Sequence, residues 1–370
     1  MRVHFMFFRK VASVFKAPWI RAAGVLFSTI VGAGMLSIPY TVAHVGTVVG
    51  LLYILGMGLI MCVLHLILAE IVIRTRTHLQ LTGIIRKYLG PIPMWIMATV
   101  FLVLHIGAMV AYLIGEGESL SALLGGPAVF WAVLFFIFGT TIIARGVKSI
   151  VRFDFWMSIA TVLAIGLLVI KSFPAATQWF YIPAISSSLL VPFGVLLFAF
   201  HGTSAIPELE MIVGSDAHAL RKAVLIGSLS PIILYSVFAA VVVAVTGQGT
   251  TQIATIGLGN AISPEVVVIG NLFAIIAMSS SFVTIGQALR RTFQWDYGWR
   301  ESIALVAAVG IPFFIYIIGA REFINVIAFV GASCGTVEIF LLVWAYGRMN
   351  SVHKSVYEKN SHPRRRIRRG

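Results

Sequence analysis

Ser28-Thr29-Ile30-Val31-Gly32-Ala33-Gly34-Met35-Leu36-Ser37-Ile38-Pro39-Tyr40 interrupts an otherwise apolar run over residues 22–44. About 20 apolar residues suffice for a helix to cross a bilayer, so the run is long enough to span. Two glycines, several hydroxyls and a proline at its middle make a continuous helix there unfavourable. A second run, 188–211, carries Phe200-His201-Gly202-Thr203-Ser204-Ala205-Ile206-Pro207 at a matching place. Either motif alone is explained by close helix packing or by a proline kink. Two at corresponding positions need another explanation.

Working outward from them, further apolar runs fall near 47–72, 94–115, 128–147, 153–170, 223–245, 265–288, 302–319 and 323–346. The expectation is an all-α integral membrane protein of ten transmembrane helices. Runs such as Leu51 to Ile73 are apolar without the alternation of a barrel strand. Composition agrees: 59% of the 370 residues are hydrophobic and 11% charged, whereas a soluble domain carries about a quarter charged. The expected organisation is a segment over 1–20, a helical domain over 21–346 and a basic tail over 347–370. The basic N-terminus has no small-residue cleavage site and does not read as a removable signal. Cys62 and Cys334 both fall inside spans, so no disulfide framework or zinc site is expected.

The two interrupted runs are the first and the sixth, each opening a set of five. Five is odd, so the second set starts from the opposite face. The expected architecture is therefore a five-plus-five inverted repeat, about 21–171 and 188–346, with helices 1 and 6 unwound at mid-membrane. Paired interruptions of this kind mark the binding site of secondary transporters. Unwinding exposes backbone N–H and C=O groups that lipid cannot satisfy. A carboxylate can accept from N–H groups at a half-helix N-terminus, and an ammonium or metal cation can take the carbonyls. An amino acid carries both charges.

The net charge of +14 raises the question of nucleic acid, and its distribution answers it. With odd spans running outward, every Lys and Arg except Lys171 and Arg321 falls on one side of the membrane. The positive-inside rule then makes both termini cytoplasmic, in the plasma membrane. The tail ending Pro363-Arg364-Arg365-Arg366-Ile367-Arg368-Arg369-Gly370 is expected to lie against anionic lipid. No basic fold interleaved with aromatic residues suggests nucleic acid, and no sequence feature sets an oligomeric state.

The chain resembles the hydroxy/aromatic amino acid permeases, the bacterial tyrosine and tryptophan permeases. It is also similar to the amino acid/auxin permeases of the amino acid–polyamine–organocation superfamily. The resemblance runs from about Gly24 to Tyr346. It rests on Val31 to Tyr40, Ala111-Tyr112-Leu113, Phe198-Ala199-Phe200-His201-Gly202, Leu220 to Ser228 and Phe273 to Val283. It implies cation-coupled amino acid symport by alternating access. Gly32, Ala33 and Gly34 would hold the substrate carboxylate, with Thr29 beside them. Phe200, His201, Gly202, Thr203 and Ser204 would face the ammonium and side chain, and Tyr112 would border the substrate. The family usually has an eleventh helix, and its helix 8 tends to end Gly-Leu-Phe-Asp where this chain has Ala288-Leu289-Arg290-Arg291.

No cofactor is expected, but a coupling ion is. Ionisable residues inside a membrane are functional candidates by default. His201 lies in a break, and histidine ordinarily changes charge near neutral pH; Glu208 follows Pro207. These suit H⁺. For Na⁺, Ser279 and Ser280 could supply hydroxyl oxygens opposite the Val31 carbonyl. His65 and His105 read as hydrogen-bonded packing residues, and Glu338 as the partner of a polar group in the bundle. Two alternatives remain: an ion channel on the same helices, or an intramembrane serine hydrolase built on Gly331-Ala332-Ser333-Cys334-Gly335. No motif for ATP or for a metalloprotease is present.

Overall fold

The computed structural model describes residues 17–32, 34–75, 79–145, 150–183, 190–214, 216–295 and 298–361. Ala33, most of the N-terminal segment and the arginine-rich end of the tail fall outside them. The described residues form helices and no strand. In chain order these are α1 (Pro18–Ile30), α2 (Gly34–Val45), α3 (Thr47–Thr75), α4 (Leu81–Leu89), α5 (Pro91–Leu124), α6 (Ala128–Arg145), α7 (Ile150–Ser172) and α8 (Leu190–Ala199). Then follow α9 (Ile206–Val213), α10 (Ala217–Thr246), α11 (Ala254–Ile262), α12 (Pro264–Trp295), α13 (Glu301–Ile317), α14 (Phe323–Val330) and α15 (Thr336–Ser361).

Seven of the described helical segments are long and apolar enough to cross a membrane, and eight if α1 and α2 form one bent crossing. Two shorter apolar stretches, Ile159–Ala175 and Glu301–Ile317, occupy the places of the fifth and ninth expected runs. Apolar side chains face outward as well as inward: Leu52, Val63, Ile233 and Phe340 are all more than half exposed. Such faces are stable only against lipid.

Both interruptions appear in the backbone. Helices α1 and α2 meet at 57°, with Val31 and Gly32 outside either helix. Helix α8 stops at Ala199; His201 N–H reaches back to the Phe198 carbonyl at 3.2 Å, and Gly202 lies outside the helical region at φ −148°, ψ 4°. A 3₁₀ turn over Thr203–Ala205 then leads into α9. Pro207 sits in the first turn of α9, where its missing N–H costs nothing.

Three features were not expected from the sequence. Helix α4 lies between the second and third spans and buries Leu81, Ile84 and Ile85 from one face. Helix α11 joins α10 to α12. Residues Gly331–Gly335 form a π turn between α14 and α15. That turn presses on α8: a Cβ on Gly331 would lie 2.0 Å from the Gly194 carbonyl oxygen, and one on Gly194 would lie 2.1 Å from that of Ala328. Only glycine lets these two backbones touch.

Candidate substrate and ion site

One cavity of about 740 Å³ reaches both breaks, a size suited to a small molecule. Of the residues singled out in the sequence, Thr29, Gly32, Gly34, Tyr112, His201, Ser204, Glu208 and Ser280 line it. On α5 the lining ends at Tyr112, and on α12 it begins at Ser280. The opposite end is polar, with Gln80 and Arg86 on or beside α4, Glu208 on α9, and Arg291 and Thr292 on α12.

The remaining expected residues are placed elsewhere. Phe200 is buried against the Tyr235 ring, with centroids 5.0 Å apart. Gly202 packs on α1, where a Cβ would meet Ile30 at 2.7 Å. Val31 is buried. Ser279 turns to α5 and donates to Glu116 Oε1 at 2.7 Å. Thr203 is fully buried and donates to Glu338 Oε1. Ala33 is outside the described residues.

The carboxyl of Glu338 completes a three-membered cluster across the second break. His201 Nε2 lies 2.9 Å from Glu338 Oε2 and 3.0 Å from Thr203 Oγ1. Thr203 donates its hydroxyl proton to Oε1, and with Glu338 ionised the imidazole N–H is the donor to Oε2. The His201 side chain is 14% exposed and that of Glu338 is 4% exposed; of the two, the cavity touches only His201. His65 on α3 and His105 on α5 lie close enough to feel the charge on both. Those two histidines have the partners of packing residues: His65 Nδ1 meets Ser228 Oγ at 2.9 Å, and His105 Nδ1 meets the Phe101 carbonyl at 2.7 Å. His105 also lines the cavity.

Tyr112 hydrogen-bonds Ser281, and Gly32 faces this pair. A Cβ on Gly32 would lie 3.4 Å from Ser281 Oγ and 4.0 Å from the Tyr112 hydroxyl.

Tyr235 on α10 was not foreseen. Its hydroxyl lies 2.9 Å from the Ile30 carbonyl and 3.1 Å from that of Ala199, the last residues of α1 and α8. Terminal helix carbonyls lack intrahelical partners, and one buried donor serves both ends. Nothing near Tyr235 in the sequence signals this, because its acceptors are 205 and 36 residues away. The Ile30 carbonyl also accepts from the Gly32 N–H at 3.0 Å, so Tyr235→Phe should leave the Ala199 carbonyl without this donor, at a cost of about 1–2 kcal/mol. We expect lower thermal stability in detergent and slower uptake, with substrate affinity little changed. Unaltered melting of the purified variant would show that the hydroxyl does not hold the breaks.

The described residues hold no cluster of three or more His, Cys, Asp or Glu able to bind a metal ion. Ser333 donates back to the Phe329 carbonyl at 2.6 Å within a helical setting, where a nucleophile elbow needs a strand-to-helix turn.

The arrangement defines a class: a helical membrane transporter with a central small-molecule cavity. Solved structures share the fold. MhsT in complex with L-phenylalanine aligns with a TM-score of 0.65 at 16% identity, covering 87% of each chain. Mhp1, a nucleobase-cation-symport-1 family transporter, aligns in its inward-facing form at 0.64 and 14% identity, over 87% of this chain and 76% of its own. The chain belongs to the tryptophan/tyrosine permease family, which it matches over residues 16–351. It is 22% identical to glutamine transporter 2 of Aliivibrio fischeri over 338 residues, 86% of each protein. It is 29% identical to tyrosine-specific transport system 1 of Haemophilus influenzae over 210 residues, 54% of this chain and 51% of that protein. These relatives transport amino acids, and the chain is a multi-pass membrane permease and not an enzyme.

Proposed function

We propose that this protein is a proton-coupled symporter of a neutral amino acid, of ten crossings in two inverted halves of five. The observation that carries the reading is a cavity that touches both helix breaks and, among the described residues, goes no further than Tyr112 and Ser280. A channel needs a continuous polar path; a site closed at one end suits alternating access. The substrate carboxylate would meet the backbone at Gly32, and its ammonium the polar side of the second break. Phe101, Phe198 and Trp95 on the walls favour an aromatic or other neutral side chain. With the termini cytoplasmic by the positive-inside rule, the cavity mouth at Arg86 and Arg291 faces the cytoplasm. The basic tail would rest on anionic lipid.

For coupling, the buried His201–Glu338 pair supports H⁺. It joins a cavity-facing imidazole to a carboxyl behind it, across the break that must move. Na⁺ is the second reading, favoured by the position of Ser280 on the wall of the cavity that also reaches Gly32. Uptake of a panel of labelled amino acids into proteoliposomes under imposed gradients tests both. A pH gradient alone should drive accumulation, about tenfold per pH unit for one proton per substrate. Accumulation that follows a Na⁺ gradient at fixed pH would overturn the proton reading. Failure of every amino acid to enter would remove the function.

A further inference from the structure

Beyond the cavity, Glu116 on α5 is fully buried, and its Oε2 has no hydrogen-bond partner among the described residues. Its other oxygen accepts only from the Ser279 hydroxyl of α12. Three residues on, on the same face of α5, Ser119 is also fully buried with an unpartnered hydroxyl. The hydroxyls of Thr29, Thr99, Ser230 and Ser333 bond back to the carbonyl four residues earlier, whereas that of Ser119, like those of Ser37, Thr47, Thr140, Ser172 and Thr255, has no partner among the described residues. What sets Ser119 apart is its place one turn along the same helix face from a buried carboxyl that also has an unpartnered oxygen. A buried carboxyl oxygen without a partner costs free energy in either protonation state, and an ionised one calls for a cation beside it.

We infer that Glu116, Ser119 and Ser279 form a binding site for a hard monovalent cation, Na⁺, clamped between α5 and α12. All the donors are oxygens, as a hard cation requires, and a single carboxylate matches a single positive charge. The site lies one helical turn, about 6 Å along α5, beyond Tyr112, where the cavity ends. A cation there fixes the spacing of α5 and α12 directly behind the Tyr112–Ser281 contact. The site is separate from the His201–Glu338 pair, and neither depends on the other.

Binding of radioactive sodium to the purified full-length protein by scintillation proximity tests this without transport. Wild type should bind Na⁺ saturably. Ser119→Ala should weaken that binding about tenfold, and Glu116→Gln should abolish it. Thr255→Val, which removes an unpartnered buried hydroxyl elsewhere, should leave it unchanged. Size-exclusion profiles confirm that each variant is folded; if Glu116→Gln is not, Ser119→Ala against Thr255→Val decides. Absence of saturable Na⁺ binding by wild type across pH 6–8 would mean that a proton or a water occupies these oxygens, and would overturn the inference. Equal loss in Ser119→Ala and Thr255→Val would do the same.

Discussion

Gly32→Leu should abolish amino acid uptake, by about two orders of magnitude, while the protein still inserts and folds. The Cβ fits, since its nearest neighbours are Ser281 Oγ at 3.4 Å and the Tyr112 hydroxyl at 4.0 Å. The rest of the side chain must then enter the cavity where the substrate carboxylate would approach the backbone. Losing one charge-assisted hydrogen bond costs about 1.5–3 kcal/mol, which corresponds to about ten- to a hundredfold in affinity, and steric exclusion adds to that. Gly34 is a poorer place for the same experiment. A Cβ there would lie 2.8 Å from the Ala199 Cα, so any side chain also forces α2 away from α8. Uptake is compared with the amount of monodisperse protein extracted from the membrane. Normal uptake by well-folded Gly32→Leu protein would be incompatible with a carboxylate site at the first break.

Glu338→Gln should uncouple transport from the proton gradient. The amide keeps the shape of the carboxyl and can still pair with His201 and Thr203, but it removes the buried charge that attracts a proton to the imidazole. Gradient-driven accumulation should collapse to the equilibrium level, while exchange of labelled for unlabelled substrate, which needs no net proton movement, continues. A wild-type carrier should lose uptake as external pH rises, because the coupling proton becomes scarcer. His201→Gln should remove that dependence. His65, His105 and Cys334 are further ionisable groups close to the pair, and Glu208 lines the same cavity as His201. Glu208→Gln measured in parallel shows whether a residual slope belongs to the cavity mouth. Accumulation by Glu338→Gln that still follows the pH gradient would exclude the pair as the coupling site.

Much of this molecule is legible in its sequence because lipid imposes simple rules. The apolar runs predicted helices at the right places, and the glycines and prolines near 32 and 202 marked where regular hydrogen bonding stops. The family resemblance was equally readable from Val31 to Tyr40 and Phe198 to Gly202. What could not be read was direction. Ser279, Ser280 and Ser281 are consecutive, yet one turns to Glu116 while the other two line the cavity; that depends on helix rotation, which a uniformly apolar helix does not encode. Thr203 and Phe200 stood in the right motif but point away from the cavity, the first to Glu338 and the second to Tyr235. Glu116 escaped notice because nothing in its sequence neighbourhood announces a partner 163 residues away. Helix α4 was hidden by its shortness, although its buried Leu81, Ile84 and Ile85 follow helical spacing.

The hydroxyl of Tyr235 carries one proton and faces two carbonyls, at the ends of α1 and α8. It cannot bond both at full strength. The two ends are not equally dependent on it, because the Ile30 carbonyl also holds the Gly32 N–H. Were the two helix ends to separate, the Ala199 carbonyl would be the one stranded, so the contact is worth most to the second break.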